Sequence, residues 1–263
     1  MADIVQAAKL LGDARRVVVF TGAGISAESG VPTFRDALTG LWERFDAQSL
    51  ATPRAFQDQP DLVWGWYEWR RHRVSTVSPN PGHRAVAAIE TRVPGTVVIT
   101  QNVDDLHERA GSRDPVHLHG SLFAPRCSGC GEAVALPPAT EEPDAGRRVQ
   151  PPTCVRCHRL VRPGVVWFGE ALPEAALEAA ARAASACDVL LTVGTSGMVY
   201  PAAEIPRIAA RAGAAVIQVN PHATPMDSVA LVNLRGSAGR ILPELVTKAW
   251  PGAAADDPAA APS

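Results

Sequence analysis

The stretch Gly22-Ala23-Gly24-Ile25-Ser26-Ala27-Glu28-Ser29-Gly30-Val31-Pro32-Thr33-Phe34-Arg35-Asp36 follows directly on the apolar run Val17-Val18-Val19-Phe20. The arrangement recurs downstream, where Thr100-Gln101-Asn102-Val103-Asp104-Asp105-Leu106-His107 follows Val97-Val98-Ile99. Short β-branched runs read as buried strands. Strands that feed glycine- and amide-rich turns build the phosphate- and ribose-binding edge of a doubly wound sheet. Gly22 and Gly24 let a backbone approach a pyrophosphate, and the amides of a helix start can bind it. Taken alone, a glycine pair after a strand is equally a tight turn. Ala27 stands where the dehydrogenase fingerprint has its third glycine, and Glu43 does not end a second strand. A standard hydride-transfer unit is therefore not expected.

Working outward, Asp3 to Asp13 carries apolar residues at helical spacing (Ile4, Ala7, Ala8, Leu11) and ends at Gly12. Strands are predicted over 16–20, 96–100 and Val189–Val193, then over Ala215–Val219 and Val229–Leu234, with a short run Val116-His117-Leu118-His119-Gly120. Helices are predicted over His83–Glu90 and Pro173–Ala186. Strands alternating with helices imply a parallel sheet covered on both faces.

Four of the five cysteines form two pairs, Cys127/Cys130 and Cys154/Cys157, with 23 residues between the pairs. Two Cys-x-x-Cys pairs at such spacing are the signature of one tetrahedral zinc ion, structural because sulfur fills all four positions. Cys154-Val155-Arg156-Cys157-His158 also spells a haem-attachment motif, but that reading leaves the first pair unexplained. A redox pair belongs at a strand-to-helix junction, and a nucleic-acid-binding ribbon needs a basic, aromatic surface; neither is present. Cys187, at the end of an alanine-rich helix, reads as a small buried residue.

The predicted fold is thus α/β: a Rossmann-like doubly wound parallel sheet with an inserted small zinc-binding module and a helical module. The sheet domain is discontinuous over 1–36, 78–122 and 164–250. The tryptophan- and arginine-rich stretch 37–77 forms the helical module, and 123–163 the zinc module with a polar, flexible tip. Residues 251–263, rich in alanine and proline, form a disordered tail.

With 46% hydrophobic and 20% charged residues among 263, the chain can bury a substantial core. A net charge of −2 gives no electrostatic case for nucleic acid or an anionic membrane. Met1-Ala2-Asp3-Ile4-Val5-Gln6 lacks a signal-peptide pattern, no apolar run spans a bilayer, and paired cysteines suit a reducing compartment, so a cytoplasmic protein is expected.

From about Arg16 to about Leu245 the chain resembles the sirtuins, the NAD-dependent protein-lysine deacylases. The two opening segments carry the likeness, together with Leu118-His119-Gly120-Ser121 and Val165-Val166-Trp167-Phe168-Gly169-Glu170. The resemblance implies NAD+ as a consumed co-substrate. Gly22, Ala23, Gly24, Ala27, Glu28 and Thr33 would wrap its pyrophosphate and nicotinamide ribose. Phe34 would lie across the nicotinamide pocket, and Arg35 would hold the cofactor loop. Gln101, Asn102, Val103 and Asp104 would line the nicotinamide and its ribose, although Asn and Asp there also suit helix capping. Gly194, Thr195 and Ser196 would take the phosphates and the adenosine side. Asn220, Pro221 and His222 would stand at the adenosine ribose and Ala238 at the adenine.

Among seven histidines, the likeness selects His119 as general base, with His117 two residues away as its competitor. The implied chemistry joins the acyl oxygen to C1′ of the ribose as nicotinamide leaves. The base then activates a ribose hydroxyl, and water completes release of free lysine and O-acyl-ADP-ribose. Substrates would be acyl-lysine proteins bound as extended peptides to a monomeric enzyme, with Val166, Trp167 and Phe168 gripping the peptide backbone.

Tyr67 and Arg70 lie three apart in Trp64-Gly65-Trp66-Tyr67-Glu68-Trp69-Arg70-Arg71 and share a helix face. Such a pair is ordinarily a solvated surface pair, yet a hydroxyl beside a guanidinium is also a good carboxylate receptor. Tyr-x-x-Arg at this place resembles the class III sirtuins, which remove malonyl, succinyl and glutaryl groups, and Ala37 fits a roomier acyl pocket. Asp36 adds a negative charge nearby, and Arg71 and Arg73 compete with Arg70 as anion partner. Rival readings are a deacetylase, a protein ADP-ribosyltransferase on the same scaffold, and a non-enzymatic NAD sensor.

Overall fold

The computed structural model describes residues 2–32, 46–137 and 147–252. Thr33, Phe34, Arg35, Asp36 and Ala37, the start of the helical module, the tip of the zinc module and the tail beyond residue 252 lie outside the described residues. The chain begins α1 (Ala2–Asp13), β1 (Val17–Thr21), α2 (Ala23–Ala27). It continues α3 (Ala47–Leu50), α4 (Pro53–Asp58), α5 (Pro60–Thr76), α6 (Pro81–Arg92), β2 (Val97–Thr100), α7 (Leu106–Arg109) and β3 (Val116–His117). After the short strands β4 (Arg126–Cys127) and β5 (Val161–Arg162) come α8 (Glu174–Ala186), β6 (Val189–Val193), α9 (Ile205–Arg211), β7 (Ala215–Asn220), β8 (Val232–Arg235) and α10 (Ala238–Ala249).

Six strands make one parallel sheet in the order β3-β2-β1-β6-β7-β8. With the β4–β5 hairpin set aside, this is the doubly wound order of a dinucleotide-binding sheet, and its switch point lies between β1 and β6. The pleat explains the unbroken apolar runs. Val17 and Val19 face a core with α1, α6 and α10 (Leu11, Ile89, Leu242), while Val18 and Phe20 face α8 and α9 (Ala180, Ile205). A third core joins α3, α4 and α5 to Leu122, Val165 and Trp167. No helix among the described residues is long and apolar enough to cross a membrane.

Three expectations change. The run Val116–Gly120 is a strand only over Val116–His117, because Gly120 turns at φ +72° where the chain leaves for the β4–β5 hairpin. The last strand begins at Val232, after a 3-10 turn over Pro225–Ser228 capped by Thr224, so Val229 and Ala230 belong to the turn. Helices α7, α9 and α10 have no counterpart in the predicted elements. The first two are short, and α10 carries an internal proline, Pro243.

At the switch point the loops after β1 and β6 touch main chain to main chain. The Gly24 N–H donates to the Gly194 carbonyl at 2.9 Å, and a Cβ on Gly194, at φ +61°, would sit 2.5 Å from the Ile25 nitrogen. Gly194→Ala is expected to destabilise the protein by about 2–4 kcal/mol, backbone strain plus a clash that cannot relax. Gly213→Ala, at φ +92° with open space around it, costs only about 1 kcal/mol. Urea unfolding of the two variants measures the difference; equal losses would show that the contact does not matter.

Candidate active site

Residues from both sides of the switch point converge around Ser26, which α2 buries one turn past Gly22. The Ser26 hydroxyl donates to Asp104 Oδ2 at 2.9 Å and accepts from Asn102 Nδ2 at 3.0 Å. Asp104 also accepts the Leu106 N–H at 3.2 Å, just ahead of Asp105, the N-cap residue of α7. Asn102 does not cap. Burial raises the Asp104 pKa, against its bonds from Leu106 and Ser26. Gln101 Nε2 donates to Thr195 Oγ1 at 3.1 Å, and Asn220 Nδ2 donates to the Thr195 carbonyl at 2.9 Å. These bonds tie the ends of β2, β6 and β7 into one edge. Ser196 is half-buried beside them, Val103 accepts the Leu122 N–H, and the exposed Pro221 and His222 continue from Asn220. Glu28 reaches across to accept the Gly239 N–H at 2.6 Å, which places its carboxylate beside Ala238 at the start of α10. Ala23 and Ala27 are exposed along α2.

Beneath Ser26 lie two buried histidines that sequence reasoning did not single out. His83 Nδ1 receives the Asn80 N–H, so Nε2 carries the proton and faces Ser26 Oγ at 3.4 Å. His107 Nε2 pairs with Thr21 Oγ1 at 2.9 Å. Burial, the first cause for each, pushes these pKa values down to about 4 and about 3, so both rings are neutral. The signal for His83 was the capping box Asn80-Pro81-Gly82-His83. Ser26 stood in full view inside the glycine turn.

His119 and His117 are held by successive carbonyls. His119 Nδ1 lies 2.8 Å from the Gln101 oxygen, and His117 Nδ1 lies 3.0 Å from that of Asn102. A ring nitrogen against a carbonyl carries the proton, so His119 presents a bare Nε2. Burial lowers the His119 pKa, against the pull of Gln101. Burial alone would lower His117 too, but its 2.8 Å contact with Glu108 Oε1 overrides this and raises its pKa. The two rings are thus chemically distinct: His117 is an ion-pair partner and His119 is the neutral base candidate.

Tyr67 is buried on α5 and accepts the Trp167 indole N–H at 3.1 Å. Burial pushes its pKa up to about 12. Arg70 is half-buried, with its guanidinium carbon 5.1 Å from the Trp66 ring centre and 5.7 Å from that of Tyr67. Burial lowers the Arg70 pKa, while Tyr67 and Asp104 hold it up. Arg71 instead binds Glu68 through two bonds and the Pro137 carbonyl at 2.8 Å, and Arg73 is exposed.

Along 165–168, Val165 and Trp167 point inward while Val166 and Phe168 face out. The Val166 N–H binds the His119 carbonyl, that of Trp167 binds Glu170, and that of Phe168 binds the Ala51 carbonyl. The N–H groups of Val166, Trp167 and Phe168 thus all have partners within the chain.

In the small module the Sγ atoms of Cys127, Cys130, Cys154 and Cys157 all lie within 4.8 Å of one another, with cross-pair separations of 3.3 and 3.8 Å. A tetrahedral Zn–S distance of about 2.3 Å requires sulfurs roughly 3.8 Å apart. The N–H groups of Gly129 and Cys130 point at Cys127 Sγ, as thiolate ligands require. The set fits one structural zinc ion.

A doubly wound sheet with a polar edge at its switch point, carrying a four-cysteine zinc module, defines a dinucleotide-binding protein of a restricted class. The sequence profile of the Sir2 family matches residues 22–201, and the chain belongs to that family. It is 61% identical over 246 residues to NAD-dependent protein deacylase 1 of Pseudomonas aeruginosa, covering 93% of this chain and 98% of that one. Among solved structures, a Sir2 homolog–NAD complex superposes with a TM-score of 0.85 at 44% identity, covering 93% of each chain. Sir2Af2 bound to a myristoylated histone peptide gives 0.75 at 37% identity, over 94% of this chain and 96% of that one.

Cys127→Ser is expected to release zinc and unfold the small module, because so small a core depends on its metal. Zinc quantified in the purified variant, with its melting curve, tests this; a stable, zinc-free variant with wild-type melting overturns the structural role.

Proposed function

We propose that this NAD-dependent protein deacylase takes succinyl and malonyl groups from lysine as well as acetyl. It acts in the cytoplasm on extended peptide segments and works as a monomer without nucleic acid. The reaction consumes NAD+ and gives nicotinamide, O-acyl-ADP-ribose and free lysine. The observation that carries the acidic-acyl preference is the Tyr67–Arg70 pair on α5, with the guanidinium carbon 5.7 Å from the phenol ring centre. A hydroxyl donor and a guanidinium together match a carboxylate in both charge and geometry.

Gly22, Gly24, Gly194, Thr195, Ser196 and Asn220 supply the phosphate and ribose side of that edge. Ser26, Asn102 and Asp104 form the nicotinamide side. His119 takes a proton at Nε2, its Nδ1–H fixed on the Gln101 carbonyl. A group whose pKa is lowered stays neutral, and so basic, down through the ordinary histidine range. The acid limb of kcat/KM is therefore expected below pH 6.5, and His119→Ala is expected to lose about 10³-fold or more in turnover at neutral pH. NAD-dependent deacylation followed by mass spectrometry across pH checks both; an acid limb above pH 6.5 that persists in the variant removes His119 as the base.

Arg70→Met is expected to lower the succinyl-to-acetyl ratio of kcat/KM by about 100-fold, the worth of a charge-assisted bond. Matched acetyl- and succinyl-lysine peptides measure it. Equal losses on both peptides would leave a plain deacetylase.

A further inference from the structure

We infer that Trp167 sets acyl specificity as a positioning residue: its indole N–H fixes the Tyr67 hydroxyl so that the phenol can only donate to what enters beside it. The inference rests on the acidic-acyl reading above and assigns the polarity of that pocket.

The indole N–H is a donor with no acceptor capacity. Its 3.1 Å bond therefore makes Tyr67 Oη the acceptor, and the Arg70 guanidinium, its carbon 5.7 Å from the Tyr67 ring centre, sets a positive charge beside the phenol. An oxygen that already accepts from the indole directs its single proton elsewhere. Among the described residues no acceptor for that proton is present. Tyr67 also stays protonated throughout the physiological range. Beside it stands Arg70, which has donors only. The pair therefore offers donors and positive charge but no acceptor, which suits a carboxylate. An acyl chain without an acceptor leaves a buried donor unmet, which is costly.

Trp167 is itself held from three sides. The guanidinium carbon of Arg162 lies 3.5 Å from its ring centre, and Arg162 is locked by Glu170 at 2.6 and 2.8 Å. Glu170 in turn accepts the Trp167 backbone N–H at 2.9 Å, and the Phe56 ring packs 5.3 Å away. This frame holds the indole N–H on Tyr67 from the segment expected to grip the peptide. One residue would thereby link peptide docking to acyl recognition.

The test is a double-mutant cycle with the full chain, NAD+, and one lysine peptide in acetyl and succinyl forms. Trp167→Phe keeps the ring and removes the N–H. We expect the succinyl-to-acetyl ratio of kcat/KM to fall roughly five- to tenfold, through KM for the succinyl peptide. Tyr67→Phe should lower the same ratio, and adding Trp167→Phe to it should lower it no further, since the indole acts only through the phenol. An unchanged ratio in Trp167→Phe, or full additivity in the double variant, overturns the inference. If Trp167→Phe fails to fold, benzothienylalanine at position 167, an indole isostere without the N–H, gives the same reading. A wild type with no preference for succinyl defeats the acidic-acyl reading and this inference with it. A succinyl preference that survives loss of the indole N–H defeats the inference alone.

Discussion

Gly24 and Gly194 meet main chain to main chain across the sheet's switch point, and a methyl on either would fall within 2.7 Å of backbone atoms of the other loop. That closeness has two effects. It draws the end of β1 against the end of β6, so that Gln101 and Asn220, from the flanking strands, can both reach Thr195. It also starts α2 directly at Gly22, which buries Ser26 where Asn102 and Asp104 can bind it. A doubly wound sheet opens a crevice at this point in any case. Here the absence of side chains narrows it to a polar cleft whose donors are already oriented.

Around that cleft the chain sorts its ionisable groups by burial and partner. His83, His107 and His119 are driven toward neutrality by desolvation, whereas His117 is pulled the other way by Glu108. Two histidines on one short segment thus differ because one has a carboxylate beside it and the other a carbonyl. The same logic governs α5, where Arg71 is neutralised by Glu68 while Arg70 is stacked over aromatic rings.

Much of this was legible from residues alone. Apolar runs with no alternation belong to buried parallel strands, so β1, β2, β6 and β7 were placed within a residue or two. The cysteine spacing led to the four-sulfur cluster because metal geometry demands it. The different surroundings of Arg70 and Arg71 were not legible, since both lie on one helix and only the contact with Pro137 and the Glu68 pair separates them. Nor was the role of Ser26, because a serine inside a glycine turn has no spacing signal. Helix α10 was missed because Pro243, its sixth residue, interrupts the pattern with a residue that has no N–H to donate inside a helix.

The antiparallel bridge between Gly120 and Val165 closes an excursion of 44 residues. Bringing the ends of so long a flexible loop together costs ~3 kcal/mol in chain entropy. With zinc on the four cysteines, the β4–β5 pair and its knuckles would be a folded unit that brings Gly120 and Val165 together. The sheet still has to join strands far apart in sequence, Val17 with Val189 across β1 and β6. A metal outside the sheet would thus lower the cost of one long closure among those that the topology demands.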